Sequence, residues 1–85
     1  MASNLKHGEV TERIIGAAYE VYNTLGFGFA EKVYENAMAH ELARGGVAFR
    51  QQAPITVIYK GDVVGEYIAD LIVEDRVIVE IKAVS

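Results

Sequence analysis

The sequence contains no cysteine. This absence excludes disulfide bonds, thiolate catalysis and cysteine-ligated zinc, so any metal ion would have to bind oxygen atoms or histidine. No hydrophobic run approaches the ~20 residues of a membrane-spanning helix, and the segment from Met1 to Glu9 lacks the hydrophobic stretch of a signal peptide. We therefore expect a cytoplasmic protein with no membrane partner.

Basic residues are also scarce. Eight lysines and arginines stand against 12 aspartates and glutamates, which gives a formal net charge of -4. This sign does not support bulk electrostatic binding of nucleic acid. A divalent cation bound to carboxylates would offset part of the negative charge where a phosphate approaches. The net charge alone therefore does not decide whether nucleic acid is a partner.

Proline occurs once, while 52% of the residues are hydrophobic, which is the composition of a packed globular domain. The sequence has no internal repeat, low-complexity tract or linker. We therefore expect residues 1–85 to form a single domain. Its core should be thin, because a chain of this size buries only about 60% of the surface that it exposes when unfolded.

Hydrophobic residues recur at spacings of three and four in the first half of the chain, which predicts two helices. The first helix is expected from Glu9 to Leu25 and ends at Gly26-Phe27-Gly28. The second is expected from about Ala30 to Arg44, with Gly45-Gly46 as its stop signal.

Beyond Gly46 the hydrophobic period changes to two, and β-branched residues become frequent. Three strands are predicted, with a short lead-in at Val47 to Gln51: Ile55 to Tyr59, Val63 to Val73 and Arg76 to Val84. Gly61-Asp62 predicts a type II′ hairpin between the first two, because glycine suits the first position of that turn. The sequence therefore predicts an α/β chain of the α+β type, in which two N-terminal helices pack on an antiparallel β meander.

The loop between the last two predicted strands decides where their acidic residues point. A two-residue loop after Val73 would place Asp70 and Glu80 on opposite faces of the sheet. A three-residue loop, Glu74-Asp75-Arg76, would instead pair Val73 with Val77. Asp70 would then lie directly opposite Glu80, with Cβ atoms about 5 Å apart. We expect the three-residue loop.

Carboxylates directly opposite each other repel, which is unfavourable in a purely structural sheet. A divalent cation removes the repulsion, and Mg²⁺ prefers oxygen ligands while it keeps several of its waters. Asp70, Glu80 and the backbone carbonyl of Ile81 therefore form a candidate site for Mg²⁺ or Mn²⁺. Lys82 could orient an attacking water or stabilise negative charge on a phosphate. The arrangement indicates hydrolysis of a phosphodiester.

A purely structural interpretation stands beside this one. Glu80 and Lys82 share one face of their strand by alternation, and that face could simply be solvated. Asp70 could then form a cross-strand ion pair with Lys82. Spacing alone favours this structural interpretation.

Further segments resemble a known family. Gly28-Phe29-Ala30-Glu31-Lys32-Val33-Tyr34 matches the Gly-x-x-Glu-x-x-Tyr signature of a family of small bacterial and archaeal proteins, the GxxExxY proteins. Later segments are similar to that family's sheet in the same order: Gln51-Gln52-Ala53-Pro54-Ile55, Tyr59-Lys60-Gly61, Ala69 to Val73 and Val77 to Val84. The resemblance covers nearly the whole chain.

The resemblance implies the PD-(D/E)XK nuclease superfamily, whose core is a helix, a three-stranded meander, another helix and a further strand. The chain would be a restriction-endonuclease-like core truncated after the Glu-x-Lys strand. Carried over by position, the acidic metal ligands fall on Asp70 and Glu80, the lysine on Lys82 and the helical acid on Glu31. Glu31 should then project toward the same cluster, although the helix dipole alone also favours an acid there. Tyr34 is expected to be a core aromatic with a hydrogen-bonded hydroxyl and no catalytic role.

Two functional hypotheses follow. The first is a metal-dependent nuclease-like domain acting on DNA or RNA. The second is a catalytically inactive, self-associating interaction module that keeps the same fold. Because the region from Arg76 to Ser85 would leave backbone groups unpaired at a sheet edge, we expect a symmetric homodimer. In it this region, or the face that it leaves open, packs against its counterpart or exchanges elements with it.

Overall fold

The computed structural model describes residues 5–83, with side chains described from residue 8 onward. Its elements are two helices, α1 (Leu5–Leu25) and α2 (Glu31–Arg44), followed by three strands, β1 (Phe49–Tyr59), β2 (Asp62–Val73) and β3 (Val77–Val79). The strands form one antiparallel sheet in the order β1-β2-β3. This architecture confirms the predicted fold class. Within residues 5–83, neither helix is long and apolar enough to cross a membrane.

Both helices end at glycines, as predicted. Gly26 follows α1 with a φ of 72°. After α2, Gly46 adopts a φ of 74°, and its N–H donates to the carbonyl of Ala43 over 3.0 Å. The N–H of Val47 donates to the carbonyl of Leu42 over 2.9 Å, which completes a Schellman motif. Glycine is needed at position 46 because L side chains disfavour this left-handed conformation.

The β1–β2 hairpin is present, but the predicted turn was wrong. The register pairs Tyr59 with Asp62, so the loop is Lys60-Gly61 rather than Gly61-Asp62. Lys60 and Gly61 have φ values of 49° and 87°. Two successive positive φ values are typical of a type I′ turn, which matches the twist of the flanking strands, and not of a type II′ turn. β1 also begins earlier than predicted, because the lead-in and the first predicted strand are continuous.

The connection from β2 to β3 confirms the three-residue loop. Val73 pairs with Val77, and the N–H of Arg76 donates to the carbonyl of Val73 over 3.0 Å. The last pair of this register is Leu71 with Val79, so a regular continuation of the strands would bring Asp70 level with Glu80.

β3 is shorter than predicted, because it ends at Val79. The N–H of Ile81 donates to the side chain of Asp70 over 2.7 Å. The Asp70 carboxylate thus accepts from an N–H group that, in a regular strand, would donate to a backbone carbonyl. Residues 80–83 lie outside the β ladder. Glu80 and Lys82 therefore follow the strand on which the sequence placed them. The predicted strand end at residue 84 lies outside the described residues.

The core lies between the helices and one face of the sheet. Its buried members are hydrophobic side chains from both helices, from the connection between α2 and β1 and from β2: Val10, Ala17, Val21, Tyr34, Met38, Ala39, Leu42, Val47, Leu71 and Val73. Val77, Val79 and Ile81 pack against this cluster. Because side chains alternate along a strand, Asp70 on β2 points to the face opposite Leu71.

The distal half of the β1–β2 hairpin, residues 55–68, carries little of this core. Its large hydrophobic side chains are exposed: Val57, Ile58, Tyr59, Val63, Val64, Tyr67 and Ile68. We call residues 55–68 the hairpin arm. The radius of gyration is 14.2 Å, whereas a compact chain of this length has about 12 Å.

Candidate active site

Asp70 lies near the end of β2 and is half-buried. Its Oδ2 atom accepts a hydrogen bond from the N–H of Ile81 over 2.7 Å. A hydrogen bond to a charged group is among the stronger ones in proteins, so this contact fixes the chain on both sides of Ile81. The backbone of residues 80–82 is therefore held next to the Asp70 carboxylate.

Glu31 approaches the same segment from the helical layer. It is the first residue of α2, and its Oε2 atom accepts a hydrogen bond from the N–H of Ala83 over 3.2 Å. The side chain is otherwise exposed. An acid at a helix N-terminus also interacts favourably with the helix dipole. Asp70 and Glu31, 39 positions apart in sequence, thus contact backbone groups two residues apart.

Glu80 and Lys82 are both exposed. Among the described side chains, neither has an ion-pair or hydrogen-bond partner. Both border a cavity of about 310 Å³ between the helices and residues 79–82. The remaining lining side chains are mostly apolar or aromatic: Ile14, Ala18, Val21, Tyr22, Tyr34, Met38, Val79 and Ile81. The charged pair therefore lies at the edge of a largely apolar cavity of a size typical of ligand sites.

The predicted metal ligands are only partly brought together. In the described part of the chain, no three histidine, aspartate or glutamate side chains form a metal-binding group. Mg²⁺ commonly binds through one or two carboxylates together with carbonyl oxygens and waters. The oxygen donors of Asp70, Glu80 and the Ile81 carbonyl suit that chemistry, and their assignment as ligands stays a prediction.

Tyr34 has the structural environment expected from the sequence. Its ring is buried, its hydroxyl donates to the carbonyl of Gly26 over 2.6 Å, and it accepts from the N–H of Phe29 over 3.3 Å. These two bonds tie the α1–α2 loop to α2 just before Glu31. Tyr34 therefore fixes the start of the helix that carries the acid.

A polar cluster around Glu35 was not predicted from the sequence. Glu35 is only 3% exposed, and its carboxylate accepts from Gln51 Nε2 at 2.7 Å, from Gln52 Nε2 at 2.9 Å and from Lys32 Nζ at 3.2 Å. Gln52 adopts a left-handed φ of 51° and is absent from the β1–β2 register, at the position level with Asp70. The cluster therefore joins α2 to β1 beside the candidate site.

Two opposing effects act on the Glu35 carboxyl. Burial by itself raises its pKa, because the charged form loses solvation. The hydrogen bonds from Gln51, Gln52 and Lys32, together with the positive charge of Lys32, outweigh burial, so the pKa of Glu35 lies below its usual value. Glu35 is thus a fully bonded carboxylate, and its signal in the sequence was an acid on the buried face of a helix followed by two consecutive glutamines in a strand.

The comparison with protein families covers almost the whole chain. A family model described as the PD-(D/E)XK nuclease superfamily matches residues 8–85. A search of curated proteins and a search of solved structures each find no match. The matched range includes the helix that begins at Glu31, the acid of β2 and the Glu-x-Lys segment. The chain belongs to the PD-(D/E)XK nuclease superfamily.

Proposed function

We propose that the chain is a metal-dependent nuclease-like domain that hydrolyses phosphodiester bonds in DNA or RNA. The superfamily match supports the nuclease-like fold. The observation that carries the proposal is the 2.7 Å hydrogen bond between Asp70 and the Ile81 N–H, because it holds the Glu-x-Lys segment against the β2 acid. Within the superfamily we place the chain among the GxxExxY proteins, on the signature from Gly28 to Tyr34.

We assign Asp70, Glu80 and the Ile81 carbonyl to the binding of Mg²⁺ or Mn²⁺, the ions that PD-(D/E)XK nucleases commonly use. The bound ion supplies positive charge that offsets the carboxylates and an approaching phosphate. The Oε2 atom of Glu31 accepts a hydrogen bond from the Ala83 N–H. Its second oxygen is the further acidic donor that the resemblance places at this site.

Lys82 is proposed as the residue that orients an attacking water or stabilises charge on the phosphate. Its exposure and the lack of a carboxylate partner among the described residues support this role, since the ammonium group is available to a ligand. Charge stabilisation of this kind contributes to catalysis because the group is already positioned when charge develops.

Isothermal titration with Mg²⁺ and Mn²⁺ tests the metal assignment. The wild-type chain should bind either ion, and Asp70→Ala should remove the binding heat. Asp62→Ala is the matched control, because Asp62 is an exposed aspartate on the same strand at the tip of the hairpin arm. Equal binding by Asp70→Ala and the wild type would exclude Asp70 as a ligand.

The alternative is a self-associating module, and the hairpin arm favours it. The accessible surface is 6046 Å², about 1,000 Å² more than the ~5,000 Å² expected for a compact chain of this mass. A standard interface buries ~800 Å² on each partner. We propose a homodimer formed through the arm rather than through residues 76–85. In the described part of that region a single large hydrophobic residue, Ile78, is exposed, whereas the arm exposes several.

Sedimentation equilibrium over a range of concentrations tests the dimer. The wild type should have a dimeric mass, and the arm variant Ile58→Lys with Val64→Lys should be monomeric. Ile15→Lys, at an exposed isoleucine on α1, is the control and should stay dimeric. A monomeric wild type up to high micromolar concentration would exclude self-association.

The cytoplasmic location is likewise proposed from the sequence.

A further inference from the structure

The loop between α1 and α2 exposes an aromatic ring beside the candidate site. Phe27 is 77% exposed, and it lies between two glycines with positive φ, Gly26 at 72° and Gly28 at 107°. The two hydrogen bonds of the Tyr34 hydroxyl to Gly26 and Phe29 fix both sides of this loop. The hydrogen bonds on both sides of Phe27 therefore fix the loop backbone in a conformation that exposes its ring.

Phe27 belongs to a continuous group of rings. Its centroid lies 6.2 Å from that of Tyr22, Tyr22 lies 5.5 Å from Tyr34, and Tyr34 lies 6.2 Å from Phe29. We call Tyr22, Phe27, Phe29 and Tyr34 the aromatic cluster. Tyr34 is buried, whereas Tyr22, Phe27 and Phe29 are exposed around it. Single exposed hydrophobic residues are common on protein surfaces, but large contiguous patches mark interaction sites.

The aromatic cluster is continuous with the charged pair at the candidate site. Tyr22 and Tyr34 line the same 310 Å³ cavity as Glu80 and Lys82. In this cavity a ligand would lie against the rings of Tyr22 and Tyr34 and border residues 80–82, where Lys82 has no carboxylate partner among the described residues. A flat, polarisable ring joined to an anionic group has the matching chemistry, and a nucleotide is such a molecule.

Charge explains why stacking would be needed. With a net charge of -4, the chain lacks the excess of cations that provides most of the affinity of nucleic-acid-binding proteins. Stacking of bases on aromatic side chains supplies affinity without that excess. In a duplex the base faces are already stacked on each other, so only unpaired bases can use such a cluster.

We propose that the aromatic cluster binds an unpaired base of a single-stranded nucleic acid and presents the adjacent phosphate to Lys82. The inference rests on the proposed nuclease function for its consequence, since it names single strands as the substrate class. Phe27 and Tyr22 provide the stacking faces. Binding should therefore depend weakly on sequence, because every base has an aromatic face.

Fluorescence anisotropy in EDTA, where metal-dependent cleavage cannot occur, measures the binding. The probes are a labelled 12-nucleotide oligo-dT, the corresponding oligo-U and a 12-base-pair duplex. Both single strands should bind at least ~10-fold more tightly than the duplex. Phe27→Ala should weaken single-strand binding about 10-fold, and Phe27→Trp should restore it. Circular dichroism of each variant checks that the fold is intact.

Tyr59→Ala is the matched control, because Tyr59 is 60% exposed but lies on the hairpin arm; its binding should equal that of the wild type. Duplex binding as tight as single-strand binding, or unchanged affinity in Phe27→Ala, overturns the inference. The two proposals fail separately. Ring-dependent binding without cleavage in Mg²⁺ removes the proposed function and keeps this site, whereas cleavage that is unaffected by Phe27→Ala does the reverse.

Discussion

Glu31 and Glu35 lie one turn apart on the same helix, yet their surroundings differ. Glu35 is buried and receives hydrogen bonds from two glutamines and a lysine. Glu31 is exposed and has one hydrogen bond, from the N–H of Ala83. A buried carboxylate must be fully bonded to stay charged, whereas an exposed one can keep oxygen lone pairs for a ligand. The comparison separates an acid that holds the fold together from acids that are available for chemistry.

The largest effect should come from the available groups. Lys82→Ala should lower cleavage of a labelled oligonucleotide in Mg²⁺ by about 10²-fold or more, because positioned charge at the phosphate is lost. The free energy of unfolding should change little, since Lys82 is exposed and without a partner among the described residues. Full activity in Lys82→Ala, or cleavage in the presence of EDTA, would assign the activity to another site or to a contaminant.

The next effect should come from the buried acid. Glu35→Ala should lower the free energy of unfolding by about 2 to 3 kcal/mol in urea denaturation, because the hydrogen bonds that Gln51, Gln52 and Lys32 donate to a charged, buried acceptor are lost. Glu31→Ala is the matched control on the same helix and should cost less than about 1 kcal/mol, the worth of one hydrogen bond and a dipole interaction. Similar costs for the two variants would remove the distinction between them.

The candidate site and the cluster around Glu35 also differ in how far the sequence predicted them. The pairing of β2 with β3 follows from one assumption, a three-residue loop after Val73. The end of β3 at Val79 could not be predicted, because it depends on a side chain of β2 that takes the Ile81 N–H. Such competition between side chain and backbone exists only once the strands are side by side.

The Glu35 cluster was missed for a related reason. Hydrophobic periodicity reports which helical face is buried, but it assigns a charged residue on that face to solvent by default. Burial of Glu35 requires Gln51 and Gln52 from β1, and Gln52 takes a left-handed backbone conformation within the strand. The hairpin turn was misplaced by one residue because Gly61 alone does not distinguish the two positions at which a tight turn accepts a positive φ.

The effect of pH should sharpen the comparison at a smaller scale. The pKa of Glu35 in the folded chain lies below its ordinary value of 4.5. A lowered folded-state pKa means that the ionised form stabilises the fold above the unfolded-state pKa, and that this contribution is lost as the pH falls through the folded-state pKa. The stability difference between the wild type and Glu35→Gln should therefore be constant near neutral pH and should shrink below pH 4.5. Urea denaturation at several pH values measures it, and a difference that does not narrow in acid would show that Glu35 is not stabilised as a carboxylate.

The smallest effect on the free energy of unfolding should come from the exposed ion pair of Arg50 with Asp75. Arg50 Nη2 lies 3.2 Å from Asp75 Oδ1, the same separation as in the pair of Lys32 with Glu35. The Asp75 side chain is 83% exposed, so water and salt screen the attraction, and fixing two mobile side chains costs entropy. Arg50→Ala should therefore change the free energy of unfolding by less than about 0.5 kcal/mol, and added salt should reduce even that. Lys32→Ala should cost more, because it removes one of the donors of a buried carboxylate. If both variants proved equally costly at the same salt concentration, the distance between the charges rather than their burial would determine the stabilisation by these two ion pairs. The distinction between structural and available carboxylates would then have to be abandoned.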